Sequence, residues 1–215
     1  MEKKSLYSIG AGVLLILAAV VAFYSGIVQV GGMRFDGNKA IFTFKVFKDE
    51  WFMEMYKESM TFAAWANIIL LAVAGVLMLA KAFVPDMLPN VVLGGVFAAL
   101  AAMAVLSLFK TFGSFGHAGG FVGVLRILVY VLMGVLSIAA FGLMAAIALM
   151  KDSFGSFFFA PAALVAVNAV IDGFMGLTGL FGALRWSFGS LIIFFIFDMV
   201  LVGALFAVGM AINED

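Results

Sequence analysis

Residues 62–109 read FAAWANIILLAVAGVLMLAKAFVPDMLPNVVLGGVFAALAAMAVLSLF, two apolar runs parted by one punctuated connection. The runs, Phe62 to Val84 and Leu88 to Phe109, are each about as long as the ~20 residues a helix needs to cross the hydrocarbon core of a bilayer. Pro85, Asp86 and Pro89 stand between them. Proline is tolerated in the first turn of a helix, where its missing donor would have no partner, and breaks a helix interior. The stretch therefore predicts one membrane helix ending and a second beginning.

Working outward, similar runs occur at Tyr7 to Gly26, Phe121 to Met150, Phe157 to Gly182 and Ser187 to Ile212. The expected fold is an all-α polytopic membrane protein, a six-helix transmembrane bundle forming a single membrane domain over residues 1–215. Composition agrees: 66% of the residues are hydrophobic and 11% charged, against about 45–50% and 25% in soluble domains. Too few polar side chains are present to cover a soluble surface, which excludes a soluble globular enzyme. Lys3 and Lys4 precede the first run as in a secretory signal, but the run exceeds the usual 7–15 or so residues of a signal core, so a retained helix is expected.

Twelve Lys and Arg balance twelve Asp and Glu, so the basic stripe that nucleic acid requires is missing. The chain has no Cys and a single histidine, His117. Disulfides, thiolate metal sites, bis-histidine haem and histidine-rich zinc sites are thereby excluded. No metal site and no cofactor is expected. Lys3 and Lys4 favour a cytoplasmic N-terminus; with six spans both termini lie inside, together with Lys81 and Lys151. Arg34, Lys39, Lys45, Lys48, Lys57, Lys110 and Arg185 then fall outside, against the usual bias.

Ile27 to Met60 has mixed composition and is expected to form a cap between spans one and two. Val28, Val30, Met33 and Phe35, the turn residues Asp36-Gly37-Asn38, and then Ala40, Phe42, Phe44 and Val46 read as a β-hairpin, since Asp-Gly between alternating runs is a strong hairpin signal. Gly31-Gly32 reads as a bulge in its first strand. From Lys48 the period changes to that of a helix, with Trp51, Phe52, Met55 and Tyr56 on one face. Phe42, Phe44, Trp51, Phe52 and Tyr56 form the candidate cap or partner surface.

Ionisable side chains inside spans are costly and informative. Asp172 lies near the middle of the fifth span, Asp198 near the middle of the sixth and Arg126 in the first part of the fourth. Neighbouring spans run antiparallel, so the two aspartates can reach equal depth. Asn168 shares a helix face with Asp172, four residues on; with Asp198 opposite, carboxylate and amide oxygens surround one point, as a cation site requires. A buried ion pair or a protonated aspartate bonded within the packing is the competing reading. Asn67 adds a further intramembrane amide, read as an interhelical hydrogen-bonding group. Gly173, Gly176, Gly179 and Gly182 form a stripe of small residues for close helix packing. The loop around His117 is glycine-rich but lacks the Lys-Ser/Thr of a phosphate loop.

Three functions are compatible with these residues. The leading one is a small transport or channel-type subunit, ion- or proton-linked through the intramembrane carboxylates, not an enzyme, and working in a homo-oligomer or with other membrane subunits. The second is a non-catalytic assembly subunit that uses the cap and the glycine stripe as contact surfaces. The most remote is an intramembrane aspartyl hydrolase, for which the Gly-x-Gly-Asp motif is missing: Asp172 follows Val170 and Ile171, and Asp198 follows Ile196 and Phe197.

Overall fold

A computed structural model describes residues 3–34, 54, 61–84, 90–113, 120–178 and 188–214. The elements are α1 (Lys3–Arg34), α2 (Phe62–Phe83), α3 (Asn90–Gly113), α4 (Gly120–Leu149), the short α5 (Lys151–Phe154) with a 3-10 turn (Gly155–Phe157), α6 (Ala160–Thr178) and α7 (Phe188–Asn213). Among the described residues six segments are long and apolar enough to cross a membrane. The chain is a multi-pass helical membrane protein. Lipid offers no partner for backbone polar groups, so each span closes its own hydrogen bonds within a helix. Where α2 starts, Thr61 caps it: its side-chain oxygen accepts from the Ala64 N–H at 3.3 Å.

The expected β-hairpin is overturned. The helix of the first span runs on without a break through Val28, Val30, Gly31, Gly32 and Met33 to Arg34, the residues assigned to the first strand, and no strand occurs among the described residues. The physical reason is cooperativity. A helix already formed adds one backbone hydrogen bond for each residue it fixes, whereas a new strand must first close a loop onto a partner. Phe42, Phe44, Trp51, Phe52 and Tyr56 lie outside the described residues; Glu54 within that stretch is helical.

The six long helices form a ring: α1 packs on α2, α2 on α3, α3 on α4, α4 on α6, α6 on α7, and α7 closes back on α1. Neighbours are antiparallel, as their contacts require. Gly12, early in α1, meets Gly75 and Leu79, late in α2; Gly94, early in α3, meets Leu149 at the end of α4.

The two ends of this ring are built differently. The fully buried side chains, among them Leu15, Met78, Phe97, Met144, Leu205 and Ile212, almost all belong to the half that holds the chain termini. Here the helices approach closely because glycines allow it. A Cβ on Gly12 would stand 2.8 Å from the Gly75 carbonyl oxygen, and one on Gly75 would stand 2.9 Å from the Gly12 carbonyl oxygen. Gly209 lies against the Phe158 carbonyl. On the same side the buried Lys81 ammonium, 6% exposed, donates to Asn90 Oδ1 and ties the end of α2 to the start of α3. The outer surface of the ring is apolar, with Val13, Ile69, Val76, Val170 and Phe206 exposed to lipid. In the other half the helices surround a cavity.

Candidate functional site: an intramembrane cavity

The cavity has a volume of about 540 Å³ and touches all six spans. Its floor is the packed half, presented by Leu71, Leu100, Phe141, Val165 and Leu201; its upper part, toward the helix ends remote from the termini, is lined by Ser25, Thr61, Lys110, Thr111 and Tyr130. Between floor and rim stand Asn67 of α2, Asn168 of α6 and Asp198 of α7.

Asn168 is 4% exposed. Its Nδ2 donates to the Met133 carbonyl at 3.2 Å and to Ser137 Oγ at 3.0 Å, both on α4. A carbonyl only accepts, so the amide nitrogen must be the atom facing α4. The Ser137 hydroxyl in turn donates to the Met133 carbonyl at 2.9 Å. With both donors held there, Asn168 Oδ1 is buried without a hydrogen-bond partner.

Asp198 is 8% exposed, and its Oδ2 is likewise buried without a partner. Its carboxyl group lies within hydrogen-bonding reach of Asp172 on α6. A hydrogen bond between two carboxyl groups needs a proton on one of them. Asp172 is half-buried and stands behind Asp198, since Asp198 lines the cavity and Asp172 does not. Among the described residues a third buried side-chain oxygen without a partner is Asn67 Oδ1. All three of these atoms belong to residues that line this cavity. Leaving a buried acceptor unpaired costs about 1–3 kcal/mol, and such groups in a folded protein call for an explanation such as a ligand, an ion or water.

The hydroxyls nearer the rim make no such demand. Ser25 donates to the Ala22 carbonyl at 2.8 Å, Ser107 to Met103 at 3.1 Å and Thr111 to Ser107 at 3.2 Å, each back onto its own helix.

The structure thus brings Asp172 to Asp198 and sets Asn168 and Asp198 on the wall of one cavity. Each of the latter two lies ten residues from the far end of its helix, about 15 Å deep at 1.5 Å per residue. Arg126 is in the first part of α4, and its side chain lies outside the described residues, as does His117. A Cβ on Gly173 would stand 3.6 Å from the Phe195 ring, an ordinary contact. Gly176 is helical, and Gly179 and Gly182 lie outside the described residues. One element of the site was missed in the sequence: Ser137, which orients the Asn168 amide and whose available signal was that it is a lone polar residue within an apolar run. Asn67, read there as an interhelical amide, lines the same cavity.

Compared with protein-family models, with curated proteins and with solved structures, the chain matches none. Functional inference therefore rests on the cavity itself.

Proposed function

We propose that this chain is a small membrane transport protein of the carrier type, which takes a polar solute into the mid-membrane cavity from the side remote from its termini. The observation that carries this reading is the coincidence of three unpaired buried oxygens with a cavity that ends on a close-packed floor. A channel needs a continuous path; a carrier in one of its states holds a site reached from one side only. Lys3 and Lys4 beside the first span favour a cytoplasmic N-terminus, which sets the packed half inside and turns the cavity outward, although the loop charges taken together run against that bias. Hydrolysis by the carboxyl pair is less favoured, because water in the cavity meets Asp198 but not Asp172.

The absence of cysteine makes the test direct. Single cysteines are placed at Ala104, which lines the cavity, and at Ala204, which is fully buried in the packed half, and treated with a membrane-impermeant thiol reagent from each side. A carrier gives labelling of Ala104→Cys from the remote side and slower labelling of Ala204→Cys from the terminal side, as the packed half opens in turn. Labelling of Ala104→Cys alone denotes a blind vestibule, and labelling of neither denotes sealed helix packing in an assembly subunit. Both outcomes contradict transport.

A further inference from the structure

We propose that the solute is a small organic cation, a primary ammonium with an apolar body, bound by Asp198 and Asn168 after passing Asn67 on its way in. This deepens the transport reading and rests on it.

Three properties of the cavity select this class. First, among the described residues the buried side-chain atoms without partners, Asn67 Oδ1, Asn168 Oδ1 and Asp198 Oδ2, are all oxygens placed to accept. The ligand must bring donors. The Asn168 amide cannot turn to offer its own N–H groups, because both are committed to Met133 and Ser137 on α4. Second, the charged group that faces Asp198 is another carboxyl, Asp172, so the site gains from positive charge. Third, the size and walls of the cavity call for more than a bare ion. Ligand pockets for organic molecules measure about 300–1,000 Å³ and are mainly apolar; this one, at about 540 Å³, is walled by Leu71, Leu100, Phe141, Val165, Phe197 and Leu201. Among the described residues no group of three or more His, Cys, Asp or Glu side chains could hold a metal ion.

A primary ammonium carries three N–H donors and one positive charge. The Asp198–Asp172 pair, which shares one proton and one negative charge, supplies the countercharge, and Asn168, at the same depth as Asp198 on the adjacent helix, a second acceptor. Asn67 is five residues from its helix end, about 7 Å deep, and accepts from the ammonium earlier, on its way to the deeper pair. Phe141 and Phe197 bring aromatic rings, which attract cations, to the lining. Lys110, the one basic residue in the lining, is exposed at the rim, three residues from the end of α3. It lies about 10 Å above Asp198 along the bundle. An α-amino acid, whose two charges are one carbon apart, does not span that separation, so a simple amine fits better than a zwitterion.

The test uses the full chain in lipid vesicles with a single cysteine at Ala104, and in parallel at Ala64, another cavity residue. Labelling by the impermeant thiol reagent is timed with n-butylammonium, with 1-butanol or with butyrate. The expected result is labelling slowed at least tenfold by n-butylammonium and not by the neutral or anionic compound, with the protection lost in Asp198→Asn. Labelling that n-butylammonium leaves unchanged, or that 1-butanol slows equally, overturns the ammonium assignment while the transport reading stands. If neither cysteine is labelled, the transport reading itself fails. Protection that persists in Asp198→Asn overturns the role of the carboxylate.

Discussion

Asn168 donates to Ser137 Oγ at 3.0 Å across the α6–α4 interface, and this bond decides which way the Asn168 oxygen faces. The serine is itself anchored on the Met133 carbonyl, so the amide is held at its nitrogen and left free at its oxygen. A polar side chain used only to join two helices would be satisfied at both ends. Here one end fixes the geometry and the other is presented to the cavity.

Removing Ser137 should loosen this arrangement at modest cost. Interhelical hydrogen bonds in membranes average about 0.6 kcal/mol, so Ser137→Ala is expected to lower stability by about that amount in reversible denaturant unfolding in detergent. The paired change Ser137→Ala with Asn168→Leu should be close to neutral, because it deletes donor and acceptors together. It should nevertheless abolish solute protection in the labelling assay. A large further loss of stability in the double variant would show that the amide serves packing.

The close approach of α1 and α2 predicts opposite outcomes at different glycines. In Gly75→Ala the new methyl would meet the Gly12 carbonyl oxygen at 2.9 Å and Ile16 Cγ1 at 2.7 Å. Backbone cannot step aside as a side chain can, so a loss of about 1–3 kcal/mol is expected. Gly142→Ala and Gly95→Ala enter open space and should be neutral or stabilising by up to about 1 kcal/mol through helix propensity. Melting temperatures of the three variants in one detergent decide the matter.

At the terminal side, Asn90→Ala takes one acceptor from the buried Lys81 ammonium. Hydrogen bonds to charged groups contribute about 1.5–3 kcal/mol, and a destabilisation in that range is expected. Because the pair lies in the packed half, remote from the cavity, labelling of Ala104→Cys should be unaffected.

Helical continuation of α1 to Arg34 is checked by a cysteine scan across residues 27–34. Reactivity should repeat with a period near 3.6 residues; a period of two would restore the strand.

The spans could be read from the sequence because hydropathy over some twenty residues reports directly on the surrounding solvent. Their observed ends, such as Phe62–Phe83 and Phe188–Asn213, fall close to those expected. The approach of Asp172 to Asp198 was the pairing expected of central residues on antiparallel neighbours. What each helix turns inward was harder to read, since in lipid the outer face is as apolar as the inner one and no amphipathic stripe marks the interior. For that reason the closure of α7 on α1, the pairing of Gly12 with Gly75 and the shared cavity of Asn67 and Asn168 had no local signature. The glycines at 173, 176, 179 and 182 are conspicuous by their spacing, yet among the described residues the tight backbone approaches are at Gly12 paired with Gly75 and at Gly209 against Phe158. The misread strand at Val28 and Val30 has a different origin. A short alternation of apolar and polar residues fits either structure, and the helix preceding it decided the outcome.

The central claim is that water reaches the middle of this bundle from one side only. Power saturation of a nitroxide spin label measures this, with oxygen reporting lipid exposure and a water-soluble nickel complex reporting aqueous exposure. At lipid-facing Val76 the label should respond to oxygen, and at Ala204 to neither agent. At Ala104 the account predicts a strong response to the nickel complex supplied from the side remote from the termini. A label at Ala104 as inaccessible as that at Ala204 would contradict it.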